Sequence, residues 1–110
     1  MKQMEGISEI HWHDSELISC VEVPAKDQLI LNVEYPEDWQ ANRFARRAIV
    51  FSGFHALEVN EIPFFGGPTI LGAEVVGASG GYFRVKIETN AGYRLVSAQA
   101  VSLLPSWQYA

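Results

Sequence analysis

The chain has 110 residues, a net charge of −5, nearly half apolar residues and 19% charged residues. That length suits one domain with one core, and the composition excludes disorder. The eight Lys and Arg form no long run, which disfavours binding to nucleic acid or to an anionic membrane surface.

Cys20 is the single cysteine, so no intrachain disulfide can form, which fits a reducing compartment. Met1 to Ile10 has no apolar core and carries Glu5 and Glu9, unlike a secretory signal. No apolar run reaches the length of a membrane span. The expected location is the cytoplasm.

In chain order, Glu16 to Val23 reads as the first strand and Pro24 to Gln28 as a turn. Leu29, Leu31, Val33 and Tyr35 share one face of the second strand, with Asn32 and Glu34 on the other. Tyr35 to Asn42 holds Pro36, Glu37 and Asp38. Proline with adjacent acids suits a first helical turn, so one short helical turn or an ordered loop is expected there. Arg47 to Ser52 is the third strand, and Ala56 to Val59 is a shorter fourth after Ser52-Gly53-Phe54. Ile62 to Pro68 is rich in Pro and Gly and cannot continue a central strand. Of Phe64 and Phe65, one is expected to plug the core and the other to be exposed. Thr69 to Ala78 reads as a strand bent or bulged at Gly72 and Gly77. Phe83, Val85 and Ile87 alternate with Arg84, Lys86 and Glu88, the cleanest strand of the chain. Tyr93 to Leu103 gives a less regular final run. Ser79-Gly80-Gly81 and Asn90-Ala91-Gly92 read as hairpin turns.

The sum is a single domain over residues 1–110, mainly β. It is an antiparallel sandwich or partly open barrel of about seven strands, with its last three strands in a meander.

Candidate chemistry is sparse. His11 and His13 fall on one side of an extended segment, and Asp14 or Glu16 could add an oxygen, as a metal site requires. The plainer reading has the segment leading into the first strand, with Trp12 inward, Asp14 capping a turn and His13 bonded to a nearby carboxylate or carbonyl. That reading is preferred, so no metal or cofactor is assigned. Cys20 sits mid-strand, where a thiol behaves as a small buried hydrophobe. No nucleophile elbow or phosphate loop is present, so no catalytic residue is assigned and a binder is favoured over an enzyme. Glu58 and Glu61 read as a solvated strand edge. Arg43, Arg46 and Arg47 read as a charged edge that discourages aggregation. Trp39, Trp107 and Tyr109 are interface candidates, since Trp and Tyr are enriched at hot spots.

His13-Asp14-Ser15-Glu16-Leu17 opening a strand, then Leu29 to Glu34, Ala48-Ile49-Val50-Phe51-Ser52-Gly53 and Gly92-Tyr93-Arg94-Leu95, form a familiar layout. It resembles small bacterial β proteins of unknown function whose first strand begins with His-Asp-Ser. Among these it is most similar to the immunity protein 50 family of polymorphic toxin systems. The resemblance implies a bacterial protein that inhibits a protein partner. The alternative is a small-molecule or metal-binding domain, with or without enzymatic activity, built on His11, His13 and Asp14. A third reading is a subunit whose exposed strand edges pair into a homodimer.

Overall fold

A computed structural model describes Met4, residues 6–38 and residues 40–109. Among the described residues, eight strands form two antiparallel four-stranded sheets. They are β1 (Glu16–Val23), β2 (Gln28–Asp38), β3 (Arg43–Ser52), β4 (Ala56–Glu61), β5 (Ile70–Ser79), β6 (Tyr82–Thr89), β7 (Gly92–Ala98) and β8 (Ala100–Leu104). One sheet has the order β1-β2-β3-β8 and the other β4-β7-β6-β5. The sheets face each other as a sandwich and do not close into a barrel. Among the described residues the only helical pieces are 3-10 turns at Ile7–Glu9 and Pro24–Lys26. No helix among them is long and apolar enough to cross a membrane.

The core lies between the sheets. Leu29, Leu31, Val33, Ile49 and Phe51 meet Ile70, Val85, Ile87 and Val96, all fully or almost fully buried. The alternation read along Leu29 to Val33 and Phe83 to Ile87 is therefore the inward face of β2 and β6. Trp12 and Ile10 join this core. Trp12 stacks tilted on Phe51, and its indole N–H donates to the Ile7 carbonyl at 3.0 Å.

Three local expectations are corrected. The described residues between Tyr35 and Asn42 hold no helical turn: β2 runs to Asp38 and pairs Pro36 with Phe44. Proline is tolerated there because β1 pairs with β2 only as far as Glu34, so Pro36 needs no donor on that side. The final run is two strands. β7 pairs with β6, then the chain switches sheets at Gln99, whose N–H donates to the Ser52 carbonyl at 2.8 Å, and β8 pairs with β3. Inward positions are Val96 and Ala98 before the switch and Val101 after it. That one-residue change of phase is why the alternation looked impure. Neither phenylalanine of the β4–β5 loop plugs the core, because Phe64 and Phe65 are both exposed.

The meander β5-β6-β7 forms as expected. Gly80 and Gly81 close its first hairpin with φ of 62° and 85°, the left-handed pair that a tight two-residue turn needs. β5 is bulged where Leu71 and Val76 interrupt its register, one residue before each glycine. Bulges on an edge strand bend it away from straight pairing with another chain.

Candidate functional site

The His-Asp-Ser segment is a junction between the two sheets. The Asp14 N–H donates to the Ile70 carbonyl at 2.9 Å, and the Ile70 N–H donates to the Ser15 carbonyl at 2.7 Å. The Leu17 N–H donates to the Pro68 carbonyl at 2.8 Å. His13 Nδ1 lies 3.0 Å from the Leu71 carbonyl, so that nitrogen is the donor. Ser15 is fully buried, and its hydroxyl donates to the His11 carbonyl at 3.0 Å. Asp14 adopts φ 71°, a conformation that Asp tolerates better than most residues. Its carboxylate caps no turn among the described contacts; it faces His13 Nε2 at 3.4 Å.

The histidines are held by different elements. His11 is exposed, its N–H donates to the Tyr35 hydroxyl at 2.7 Å, and its ring meets Tyr35 edge-on. His55 meets Tyr82 edge-on at 4.5 Å. Among the described residues, no group of three or more His, Cys, Asp or Glu is placed to hold a metal ion. Asp14, Glu16, Glu34, Phe44 and Thr69 line an open cavity of about 500 Å³.

This junction supports a neighbouring loop. Residues 62–68 leave β4 and enter β5 pinned at both ends. The Ile62 N–H donates to the Ala91 carbonyl at 2.9 Å. Thr69 and Asn90 bond reciprocally, each N–H at 3.0 Å from its acceptor. A Cβ on Gly67 would collide with the Leu17 carbonyl oxygen, so glycine is required for the loop to seat against β1. Between these anchors the loop presents Ile62 at 68% exposure, Phe64 at 45% and Phe65 at 104%.

Below the loop, Glu61 is no solvated edge residue. Arg94 reaches it with two hydrogen bonds, Nε to Oε2 at 2.9 Å and Nη2 to Oε1 at 2.8 Å. Their side chains are only 15% and 11% exposed for Arg94 and Glu61. Hydrogen bonding from Arg94 holds the Glu61 carboxyl below its ordinary value despite its burial. Burial pushes the Cys20 thiol up, and Arg94 opposes this more weakly. The sulfur is thus kept protonated, the inert form of a cysteine. Glu58, by contrast, is exposed and pairs with Arg84 at 3.1 Å.

The C-terminal segment 105–109 lies as a strap on the outer face of the first sheet. The Trp107 indole N–H donates to the Val33 carbonyl at 2.8 Å, and Arg46 stacks over its ring at 4.5 Å. The fully buried Asn32 reads the backbone of Gln108. Its Oδ1 accepts from the Gln108 N–H at 2.9 Å, and its Nδ2 donates to the Gln108 carbonyl at 2.8 Å. Nδ2 also donates to the Ser19 hydroxyl. Arg47 donates to the Pro105 carbonyl, and Lys26 to the Tyr109 hydroxyl. The arginine cluster is thus spent within the chain, with Asp38, Glu34 and Glu37 opposite Arg43, Arg46 and Arg47.

Of the residues singled out from sequence, His11, His13 and Asp14 share the junction, Trp107 is a half-buried clamp on another face, and Trp39 lies outside the described residues. Sequence reasoning missed Asn32 and the Glu61–Arg94 pair. The signal for Asn32 was its place inside the apolar run Leu29 to Val33, where a polar side chain needs a partner. No protein-family model matches the chain, and no curated protein matches it.

Proposed function

We propose that this chain is a protein-binding module that inhibits its partner, the role implied by its resemblance to the immunity protein 50 family. The observation that carries the reading is the β4–β5 loop, a fully exposed Phe65 beside Ile62 and Phe64 on a mount anchored at both ends. Contiguous apolar surface of this kind marks interaction sites on soluble domains. A loop already fixed by hydrogen bonds loses little freedom on binding, which favours affinity. Asp14, Glu16 and Glu34 line the cavity beside the loop's foot at Thr69, and the whole chain is acidic. A partner with an apolar pocket rimmed by Lys or Arg fits this surface, with the charges steering encounter.

The test is to clone the polypeptides encoded by the genes on either side and to co-express each with this chain; the reading requires that one of them be toxic. The wild-type chain should protect the host and co-purify with that polypeptide. A Phe64→Ser/Phe65→Ser variant should lose about thirty-fold or more in affinity, as hot-spot truncations do, with its melting temperature unchanged. Neither protection nor complex from the wild type, or equal binding by the variant, sinks the proposal.

A further inference from the structure

Each sheet of a sandwich ends in two edge strands, and an edge offers unpaired backbone N–H and carbonyl groups to another chain. Among the described residues, the edges at β1, β5 and β8 are obstructed. β1 is bulged at Ile18, and its Glu16–Leu17 end is taken by Thr69 and Pro68. β5 is bulged at Leu71 and Val76. β8 has Gly6 seated against the Val101 carbonyl. β4 carries none of these devices. It pairs with β7 in unbroken register from Ala56 to Glu61, and it holds no proline, lysine or arginine. Its carboxylates do not guard the edge either, because Glu58 is paired with Arg84 and Glu61 with Arg94. Val59, in the middle of the strand, is 49% exposed.

The groups that this edge presents are set by the pairing on its other side. The Ile62 N–H donates to the Ala91 carbonyl at 2.9 Å, and the Asn60 carbonyl lies so close to Gly92 that a Cβ there would collide with it. Asn60 and Ile62 thus turn their backbone to β7. By alternation, Leu57, Val59 and Glu61 turn theirs to the open side. We infer that β4 pairs antiparallel with β4 of a second copy, about a two-fold axis at Val59, joining the two β4-β7-β6-β5 sheets into one. In that register Val59 meets its own mate and Leu57 meets Glu61, so every outward N–H finds a carbonyl. In the outer row Glu58 faces Asn60, whose amide already donates to Glu58 within one chain at 3.1 Å. No like charges stand opposite one another. The neighbouring registers fail. An axis at Glu58 sets that carboxylate against its own copy, and an axis at Asn60 sets Pro63, which has no N–H, against Leu57. The strand is complementary to itself in one register, as an isologous interface requires. The pairing does not depend on the proposed inhibitory role, and it leaves the two loops at 62–68 at opposite ends of the shared ladder.

The experiment is sedimentation velocity of the full chain over a concentration series. The wild type should form a dimer that dissociates on dilution. Val59→Pro should be a folded monomer, since the N–H it loses faces solvent in one chain and the mate in two. Val59→Lys is the second variant, should the proline disturb folding, and carries the same expectation. Register is read at residue 60. Asn60→Lys should tighten the dimer about three-fold or more and Asn60→Glu should weaken it as much, because the two-fold axis repeats the contact with Glu58. Gln40→Lys and Gln40→Glu make the same charge changes on the exposed turn after β2 and should do neither. A wild type that stays monomeric at every concentration overturns the inference. So does a dimer that survives both Val59 variants, one abolished only by Phe64→Ser/Phe65→Ser, or Asn60 variants that shift no more than those at Gln40.

Discussion

Two irregular segments carry aromatic residues away from the strands and treat them in opposite ways. The strap at 105–109 lays Trp107 on a sheet, with a carbonyl for its N–H and a guanidinium over its ring. The loop at 62–68 holds its backbone just as firmly, yet leaves Phe65 touching nothing but solvent. Indole has a polar handle that the sheet satisfies, so burying it is favourable on two counts. A phenyl ring has no such handle, and its exposure gains nothing for the isolated chain. Firm backbone anchoring with a buried ring describes a clamp; the same anchoring with an exposed ring describes a display.

The largest effect should come at the root of the display. Glu61 ends β4 immediately before Ile62, and its partner Arg94 is nearly buried. Arg94→Met leaves that carboxylate unpaired and should cost about 3 kcal/mol, as broken buried pairs do. The pair also predicts an acid limb. The folded-state pKa of Glu61 lies below its ordinary value. Its contribution is therefore complete above the unfolded glutamate value, about 4.3, and is lost as pH falls through the lower folded value. Urea melts between pH 6 and 3 should show this loss, and Glu61→Gln should flatten it.

Next comes the contrast itself. Trp107→Ala removes a half-buried clamp and should lower stability by about 2–3 kcal/mol, toward the low end for large aromatic truncations. Phe65→Ala should stay within about 0.5 kcal/mol of wild type, as exposed substitutions do. Comparable losses at the two positions in denaturant melts would erase the distinction between clamp and display.

The smallest effect concerns the junction beneath the loop. Asp14 sits at φ 71°, which an alanine adopts at a cost of about 1 kcal/mol and a glycine adopts freely. Asp14→Ala should therefore lower the melting temperature, and Asp14→Gly should do so less. The reverse order would mean that the carboxylate facing His13 matters more than the backbone.

The fold was legible wherever one rule governed a whole segment. Phe83 to Glu88 alternates strictly because β6 lies inside its sheet, between β5 and β7, and shows one face to the core. Ser79-Gly80-Gly81 forms its turn because only glycines accept both conformations. Legibility failed where distant chain decided the outcome. Pro36 extends a strand because β1 happens to stop short of it. The run from Tyr93 to Leu103 divides because two sheets compete for it, and local periodicity does not report on which neighbour wins. The candidate site was half legible: His13, Asp14 and Ser15 stood out as a group, and His13 meets a carbonyl, but the junction is made by their backbone and the Asp14 carboxylate caps no turn among the described contacts. Glu61 was misread because its partner Arg94 lies three strands further along the chain.

The change of sheets at Gln99 has a consequence in time. β1 with β2, and β5 with β6, are hairpins whose partners meet quickly once the chain collapses. β3 must instead find β8 across four intervening strands, and β4 must find β7 across two. Those closures spend chain entropy before any contact repays it. Because β7 and β8 are joined through one residue, seating either strand delivers the other to within reach of its own sheet. The two slow searches thus become one. Refolding should be a single event on the millisecond-to-second scale of non-local β proteins, with both sheets completed at the same corner.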